Sequence, residues 1–363
     1  MEKTKLFFLL FSMDVGGVEK SILGLLSAFD NEKYDLHIGL LRREGEFLNL
    51  LPEQVTIHDC FRGVWDEANR PMLVTAKLRL AKGRIIEAVI YFFLWLVFKI
   101  TGDRSLFYKY LLRNDPAIDI CFDEAYAYAG PAAMLDYYVC RKIAAKRRYG
   151  WIHFDVRQFG IDRVMTERYY RQYDKIYVVS EAAKMNFDSL FPQFADKTSV
   201  RYNIVNKDDI RRQADSAPTF DDDFNGKRIL TVARLSAEKG QDITIEVLKR
   251  LVDSGYNVKW YYVGSGSLQS KCEQLAREYG LTERVEFLGM QTNPYGYMRD
   301  CDIYVQPSRH EGYSITLAEA RCFTAPIVAT DFAGAREQLN SYPCSAVTEP
   351  AAENIAEAVI KFL

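Results

Sequence analysis

The chain has no long apolar run, no surplus of positive charge, no CxxC pair and no GxGxxG loop, and each gap excludes a class of protein. Its longest apolar stretch, Ala88–Phe98, is eleven residues, whereas a helix crossing a bilayer takes roughly 18 or more. Lys and Arg number 47 against 49 Asp and Glu, a net charge of −2, so the basic excess of a nucleic-acid binder is missing and no nucleic-acid partner is expected. The seven cysteines are an odd number, and Cys121 sits inside the apolar run 118–122. They read as reduced core residues of a cytosolic protein rather than as a disulfide framework. There are only four histidines, His37, His58, His153 and His310, and none pairs with a cysteine at ligand spacing, which argues against zinc. Residues 1–12 are basic and then apolar, but no small-residue cleavage site follows them, so they read as a buried first strand rather than a signal peptide.

What is present is a repeated alternation. Its 363 residues exceed what one core usually serves, so two domains are expected. Short apolar runs at 6–11, 36–41, 118–122, 148–152 and 176–179 alternate with helical patterns, and runs at 228–232, 258–263, 285–288, 303–305 and 327–329 do so again. Runs of this length suit strands buried on both faces of a parallel sheet. The fold class is therefore α/β, with two doubly wound domains. A polar stretch with Pro218 and Asp221-Asp222-Asp223 reads as a linker. The boundaries fall at 1–205 for the first domain, 206–226 for the linker and 227–363 for the second domain. The triple aspartate reads as a solvated face rather than a metal motif. Residues 84–104 are apolar with basic flanks, and two readings stand: a helix lying in a membrane interface, or a helix buried in the first domain.

Three strand ends in the second half carry chemistry. After 303–305 comes His310-Glu311-Gly312-Tyr313-Ser314-Ile315-Thr316, then a helical pattern through Glu319. Such a strand–turn–helix junction is where open α/β sheets bind ligands, and free N–H groups at Ser314, Ile315 and Thr316 favour a phosphate. Glu311 in the loop and Glu319, read as two turns into the helix, reach different parts of one elongated ligand. Glu319 suits vicinal hydroxyls, as acidic residues do with ribose in Rossmann sites. After 228–232 come Arg234 and Lys239, two cations suited to a diphosphate. After 258–263 come Gly264-Ser265-Gly266, where glycine lets the backbone approach a nucleotide. In the first domain, Gly16-Gly17 opens a helix after the first strand and His153 ends a later one. The absence of GxGxxG there disfavours a nicotinamide cofactor.

These residues together resemble the retaining glycosyltransferases of family 4, also called group 1, which have the GT-B fold. The resemblance runs nearly end to end: Gly16–Lys20, His153, Arg234–Gly240, Gly264–Gly266, the pair Glu311 and Glu319, and Pro326–Thr330 with Gly334 and Glu337. One departure is Thr324-Ala325, where the family has a glycine before the proline. The resemblance implies two Rossmann-like domains facing across a cleft, with the acceptor bound by the first and a nucleotide sugar by the second. It implies that Arg234 and Lys239 bind the leaving diphosphate, that Glu319 holds the ribose hydroxyls, that Glu311 contacts the transferred sugar, and that His153 sits by that sugar. Gly16 and Gly17 would lie close to the phosphate and acceptor. No cofactor or metal is expected, since two cations and helix N-termini can stabilise the diphosphate. The implied partners are a nucleotide sugar, UDP by family frequency, and a glycan or lipid-linked acceptor at the inner face of the cell membrane. Alternatives are a nucleotide-sugar epimerase of the same fold, which needs no acceptor, a non-catalytic nucleotide- or carbohydrate-binding module, and a nicotinamide oxidoreductase, which wants the missing fingerprint.

Overall fold

A computed structural model describes residues 2–61, 64–158 and 160–363. The chain divides into two compact units, Met1–Val178 with Lys184–Arg201, and Val179–Ala183 with Tyr202–Leu363. Among the described residues, the first unit's sheet consists of β1 (Thr4–Leu10), β2 (Tyr34–Leu40), β3 (Thr56–Asp59), β4 (Cys121–Gly130), β5 (Ala144–Ile152), β6 (Lys175–Val178) and β7 (Thr198–Val200). Their order is β3-β2-β1-β4-β5-β6-β7 and every pairing is parallel. The second unit's sheet consists of β8 (Lys227–Val232), β9 (Val258–Val263), β10 (Val285–Phe287), β11 (Ile303–Gln306), β12 (Ile327–Thr330) and β13 (Ser345–Thr348). These too are all parallel, in the order β10-β9-β8-β11-β12-β13. In each sheet the strand order reverses once, between β1 and β4 and between β8 and β11. Such reversals open a crevice at the carboxyl ends of the strands.

Nine of the ten apolar runs lie largely on strands of these sheets, while 118–122 only reaches the start of β4 at Cys121. The three strands that no run announces, β3, β7 and β13, each lie at a sheet edge. An edge strand buries less than a central one, and these carry intermediate or exposed residues at most positions, so the apolar signal is diluted. Central β9 shows the contrast. Trp260 and Tyr262 enter the core with Ile245, Leu248 and Ile355 on one face, while Tyr261 and Val263 enter the core with Leu230, Tyr304 and Leu317 on the other.

The segment expected as a linker is largely part of the second unit. Residues Lys207–Ala214 form a helix capped by Asn206, whose side chain accepts from the Asp209 N–H at 3.1 Å. Ile210 and Ala214, one turn apart, lie in the second unit's core. Two apolar residues suffice to dock so short a helix and are too few to register as a period. Asp222 is not a solvated charge either. Its carboxylate accepts from Lys259 Nζ at 2.6 Å, Tyr261 Oη at 2.6 Å and Arg228 Nη2 at 2.9 Å. Partial burial raises the Asp222 pKa, but these three donors outweigh it and hold the carboxyl well below its ordinary 3.8.

Two further expectations change. Cys121 and Cys344 are exposed, and the other five cysteines are buried; all seven are free. Cys121 is the first residue of β4, at the rim of the sheet rather than in its core. The apolar stretch 88–98 lies on helix Ile85–Thr101, which buries Ala88, Tyr91 and Leu94 and leaves the opposite face open. Full burial does not describe it, and no helix among the described residues is long and apolar enough to cross a membrane.

The Asp222 cluster yields a stability prediction. Asp222→Ala removes an acceptor shared by Arg228, Tyr261 and Lys259, of which Lys259 keeps Glu286 at 2.5 Å, and urea unfolding at pH 7 is expected to show a loss of about 1–3 kcal/mol. The stabilisation is present above the unfolded carboxyl's 3.8 and is lost as pH falls through the lower folded value. The difference between wild type and variant should therefore shrink in strong acid; a difference that widened would contradict the assignment.

Candidate active site

The loops that leave β8, β9 and β11 are sewn to one another by main-chain hydrogen bonds at the reversal in strand order. Leu235 N donates to Ser265 O at 3.0 Å, and Leu268 N returns to Leu235 O at 3.0 Å, joining the first two loops. Arg309 N donates to Glu238 O at 2.8 Å, joining the first and third. The Arg309 guanidinium adds a bond to Ala237 O at 2.6 Å and an ion pair with Asp242 at 2.9 Å. Two glycines make this spacing possible. Gly240 has φ +72, and a β-carbon on it would lie 2.1 Å from Pro307 O. Gly264 has φ +138, and its β-carbon would lie 2.0 Å from Ala233 O. Any side chain at either position would force the loops apart and occupy a disfavoured backbone region.

Within this frame the sequence-predicted residues do not all meet. Lys239 and Glu311 do: Lys239 Nζ lies 2.6 Å from Glu311 Oε1, and both side chains are largely buried. Glu311 Oε1 also accepts from Ser308 Oγ at 2.9 Å. Gln306, fully buried at the end of β11, donates to Ser308 Oγ at 2.8 Å and accepts from Thr316 Oγ1 at 3.1 Å. It thus links the Lys239–Glu311 pair to the start of helix Ile315–Ala320. Arg234 stands apart. Its side chain is 72% exposed, and its ion-pair partner Glu238 is 3.7 Å away, so little holds the guanidinium in place. Ser265 and Gly266 are exposed on the neighbouring loop.

The expected row of N–H donors at Ser314–Thr316 is shorter by one. Ser314 N–H donates to Gln338 Oε1 at 3.0 Å, and Ser314 Oγ caps the helix by accepting from Leu317 N at 3.2 Å. The N–H groups of Ile315 and Thr316 are left as first-turn donors without an intrahelical acceptor. Glu319 is the fifth residue of this helix, one turn in rather than two, because the helix starts at Ile315. It is buried at 3% exposure, and Tyr295 Oη donates to its Oε1 at 2.7 Å.

In the first unit, Gly16 is the N-cap of helix Gly17–Ser27. Glu19 Oε2 lies 2.3 Å from where a Gly16 β-carbon would be, so the chain's own carboxylate already occupies this helix start. Gly16 is thereby a poorer phosphate ligand than expected, while Gly17 is open, with nothing within 4 Å of its β-carbon position. His153 lies one residue past β5, its ring parallel to Trp151 at 5.9 Å and tilted on Tyr128 at 4.6 Å. Burial lowers its pKa from 6.5 to about 3, so the ring is neutral at neutral pH. Its hydrogen bond to the Tyr128 backbone favours the protonated form, so a ring N–H donates there. Nε2 is buried and has no partner among the described residues, which leaves it an open acceptor.

Sequence reasoning passed over Gln306, Ser308, Tyr295 and Gln338. A signal was available for the first: in the run Ile303-Tyr304-Val305-Gln306, an amide closes an otherwise apolar strand.

The family described as glycosyl transferases group 1 matches residues 219–363. That part of the chain is similar to the group 1 glycosyl transferases. Among curated relatives, an N-acetylgalactosaminyltransferase of Campylobacter jejuni, named for N-acetylgalactosamine-N,N'-diacetylbacillosaminyl-diphospho-undecaprenol, is 31% identical over 169 residues, 46% of this chain and 44% of that one. An uncharacterized glycosyltransferase of Methanocaldococcus jannaschii is 29% identical over 176 residues, 46% of this chain and 42% of that one. The matches thus span less than half the length of these relatives. Among solved structures, Anabaena HepE in complex with UDP and glucose is 19% identical with a TM-score of 0.68, covering 99% of this chain and 89% of that one. At that identity the likeness is one of fold, and the fold is the GT-B class, built from two parallel-sheet α/β domains.

Close loop approach in the C-terminal domain can be tested at Gly240. Gly240→Ala combines a positive φ with a backbone collision, whereas Gly255→Ala, at φ +87, has nothing within 4 Å. Denaturant unfolding is expected to show about 1–2 kcal/mol lost for Gly255→Ala and clearly more for Gly240→Ala. Equal losses would mean that the loop spacing does not depend on the glycine.

Proposed function

We propose that this chain is a retaining glycosyltransferase that moves a hexose or N-acetylhexosamine from a UDP-linked donor to a glycan or lipid-linked acceptor in bacterial surface-polysaccharide synthesis. The observation that carries the reading is the meeting of three strand-end loops at the strand-order reversal of the C-terminal domain. The names of the relatives support the substrate classes: one acts on a diphospho-undecaprenol-linked saccharide, and one was crystallised with UDP and glucose.

In this reading the donor diphosphate takes Lys239, the mobile Arg234 and the N–H groups of Ile315 and Thr316 as its donors. Glu319 receives the ribose hydroxyls, and Gly264–Gly266 line the nucleotide. Glu311 serves two ends, holding the Lys239 ammonium in position and facing the transferred sugar. Neutral His153 accepts a hydrogen bond from a substrate hydroxyl at Nε2. The bond between sugar C1 and the phosphate oxygen breaks as the acceptor oxygen bonds C1 on the same face, and the acceptor's proton passes to the leaving phosphate. Positive charge from two side chains and a helix start stabilises that phosphate without a metal.

The kinetic test uses Arg234→Ala and Lys239→Ala. Each is expected to cost about 2–4 kcal/mol of transition-state stabilisation, the scale of one lost oxyanion donor, read as a fall in kcat/KM. Wild-type turnover in both variants would remove these roles. Complete loss of activity in chelator with recovery on added magnesium would overturn the metal-free mechanism, and isomerised donor without any acceptor would indicate an epimerase instead.

A further inference from the structure

The N-terminal domain carries an apolar surface that its own fold leaves bare. Helices Met72–Ala81 and Ile85–Thr101 form a hairpin between β3 and β4 that turns at Gly83. Its inner side is anchored. Tyr91 is buried and lies edge-on to Tyr110 at 5.6 Å, and Arg79 on the first helix pairs with Glu67 before it and Glu87 on the second helix. Its outer side is open: Ile86, Val89, Phe92, Phe93, Leu96 and Ile100 are 41–78% exposed. At about 100° per residue these six fall within an arc of about 120° that holds no charged residue. Exposed Val74 and Leu78 extend the apolar surface onto the first helix.

The charge around this stripe is mostly positive, with Arg79 and Arg84 paired to Glu87 and the lysines left to face outward. Residues 72–113 hold eight Lys and Arg against two Asp and Glu, in a chain whose net charge is −2. Lys77, Lys82, Arg84 and Lys99 are exposed on the two helices and their turn. A second copy docking through the same face would set these cations against their own kind. An anionic lipid surface instead offers phosphates to the cations and an acyl boundary to the stripe. The inner side is committed to the domain, so the long helix has to lie in the plane of that surface.

We propose that the hairpin 72–101 seats the N-terminal domain on an anionic bilayer, its apolar stripe entering the acyl boundary and its lysines and arginines meeting lipid phosphates. This rests on the first domain alone and not on the transfer reaction, so its failure would leave the transferase reading standing.

The test is flotation of the full chain with vesicles of phosphatidylglycerol and phosphatidylethanolamine, and with vesicles of phosphatidylcholine. Wild type is expected on the anionic vesicles, at least tenfold more weakly on phosphatidylcholine, and less tightly as salt rises. Ile86→Ser with Phe93→Ser changes exposed side chains and is expected to keep the circular dichroism spectrum and lose at least tenfold in binding. Lys82→Gln with Lys99→Gln should lose about fivefold per charge. Wild type remaining free of both vesicle types would overturn the proposal. So would undiminished binding of the Ile86/Phe93 variant, or a dimer of the free chain that this variant dissolves while wild type ignores lipid.

Discussion

At Gly240 and Gly264 a carbonyl oxygen of a neighbouring loop stands about where a β-carbon would be, 2.1 Å and 2.0 Å from its ideal position. Backbone meets backbone there, and the chemistry of the C-terminal domain rests on that approach. Because the loop after β8 lies against both neighbours, Lys239 arrives beside Glu311 although 72 residues separate them. Main-chain bonds hold the three loops to one another. A preformed array of donors needs little reorganisation when charge develops on a leaving group.

The polar interior is matched to that frame. Placing an ammonium and a carboxylate in a largely buried setting is costly unless each is further satisfied. Glu311 Oε1 takes Ser308 as well as Lys239, and Ser308 is in turn held by Gln306. Gln306 spends its amide on four side chains, Tyr304, Thr316, Ser308 and, at 3.5 Å, Glu311. The chain of bonds ties the cationic loop to the start of helix Ile315–Ala320 through one side chain. Arg234 is the exception, exposed and loosely paired.

Much of this was legible in the sequence. The central strands announce themselves because burial on both faces demands largely apolar runs, and β9 coincides with its run at 258–263, broken only by Lys259. The strand-end turns were legible because a strand-to-helix junction puts glycines and cap residues at loop positions. What the sequence hid follows from other physics. Edge strands β3, β7 and β13 bury too little to leave a pattern. The helix at Lys207–Ala214 docks on two side chains. Whether Ser314 presents its N–H to a ligand depends on Gln338, 24 residues away. Likewise the start of the first helix is served by Glu19, three residues beyond Gly16, and only coordinates reveal that a side chain folds back. The apolar stretch 88–98 had two readings in one dimension because composition cannot say which face of a helix its neighbours cover.

The central claim is that the loops after β8, β9 and β11 form one diphosphate site. Its most direct measurement is an electron-density map of crystals of the full chain grown with UDP. The account predicts diphosphate density within hydrogen-bond reach of Lys239 and the N–H groups of Ile315 and Thr316, with Arg234 swung onto it and the ribose against Glu319. UDP bound elsewhere on the chain, with no phosphate against Lys239 and nothing at the helix start, would contradict it.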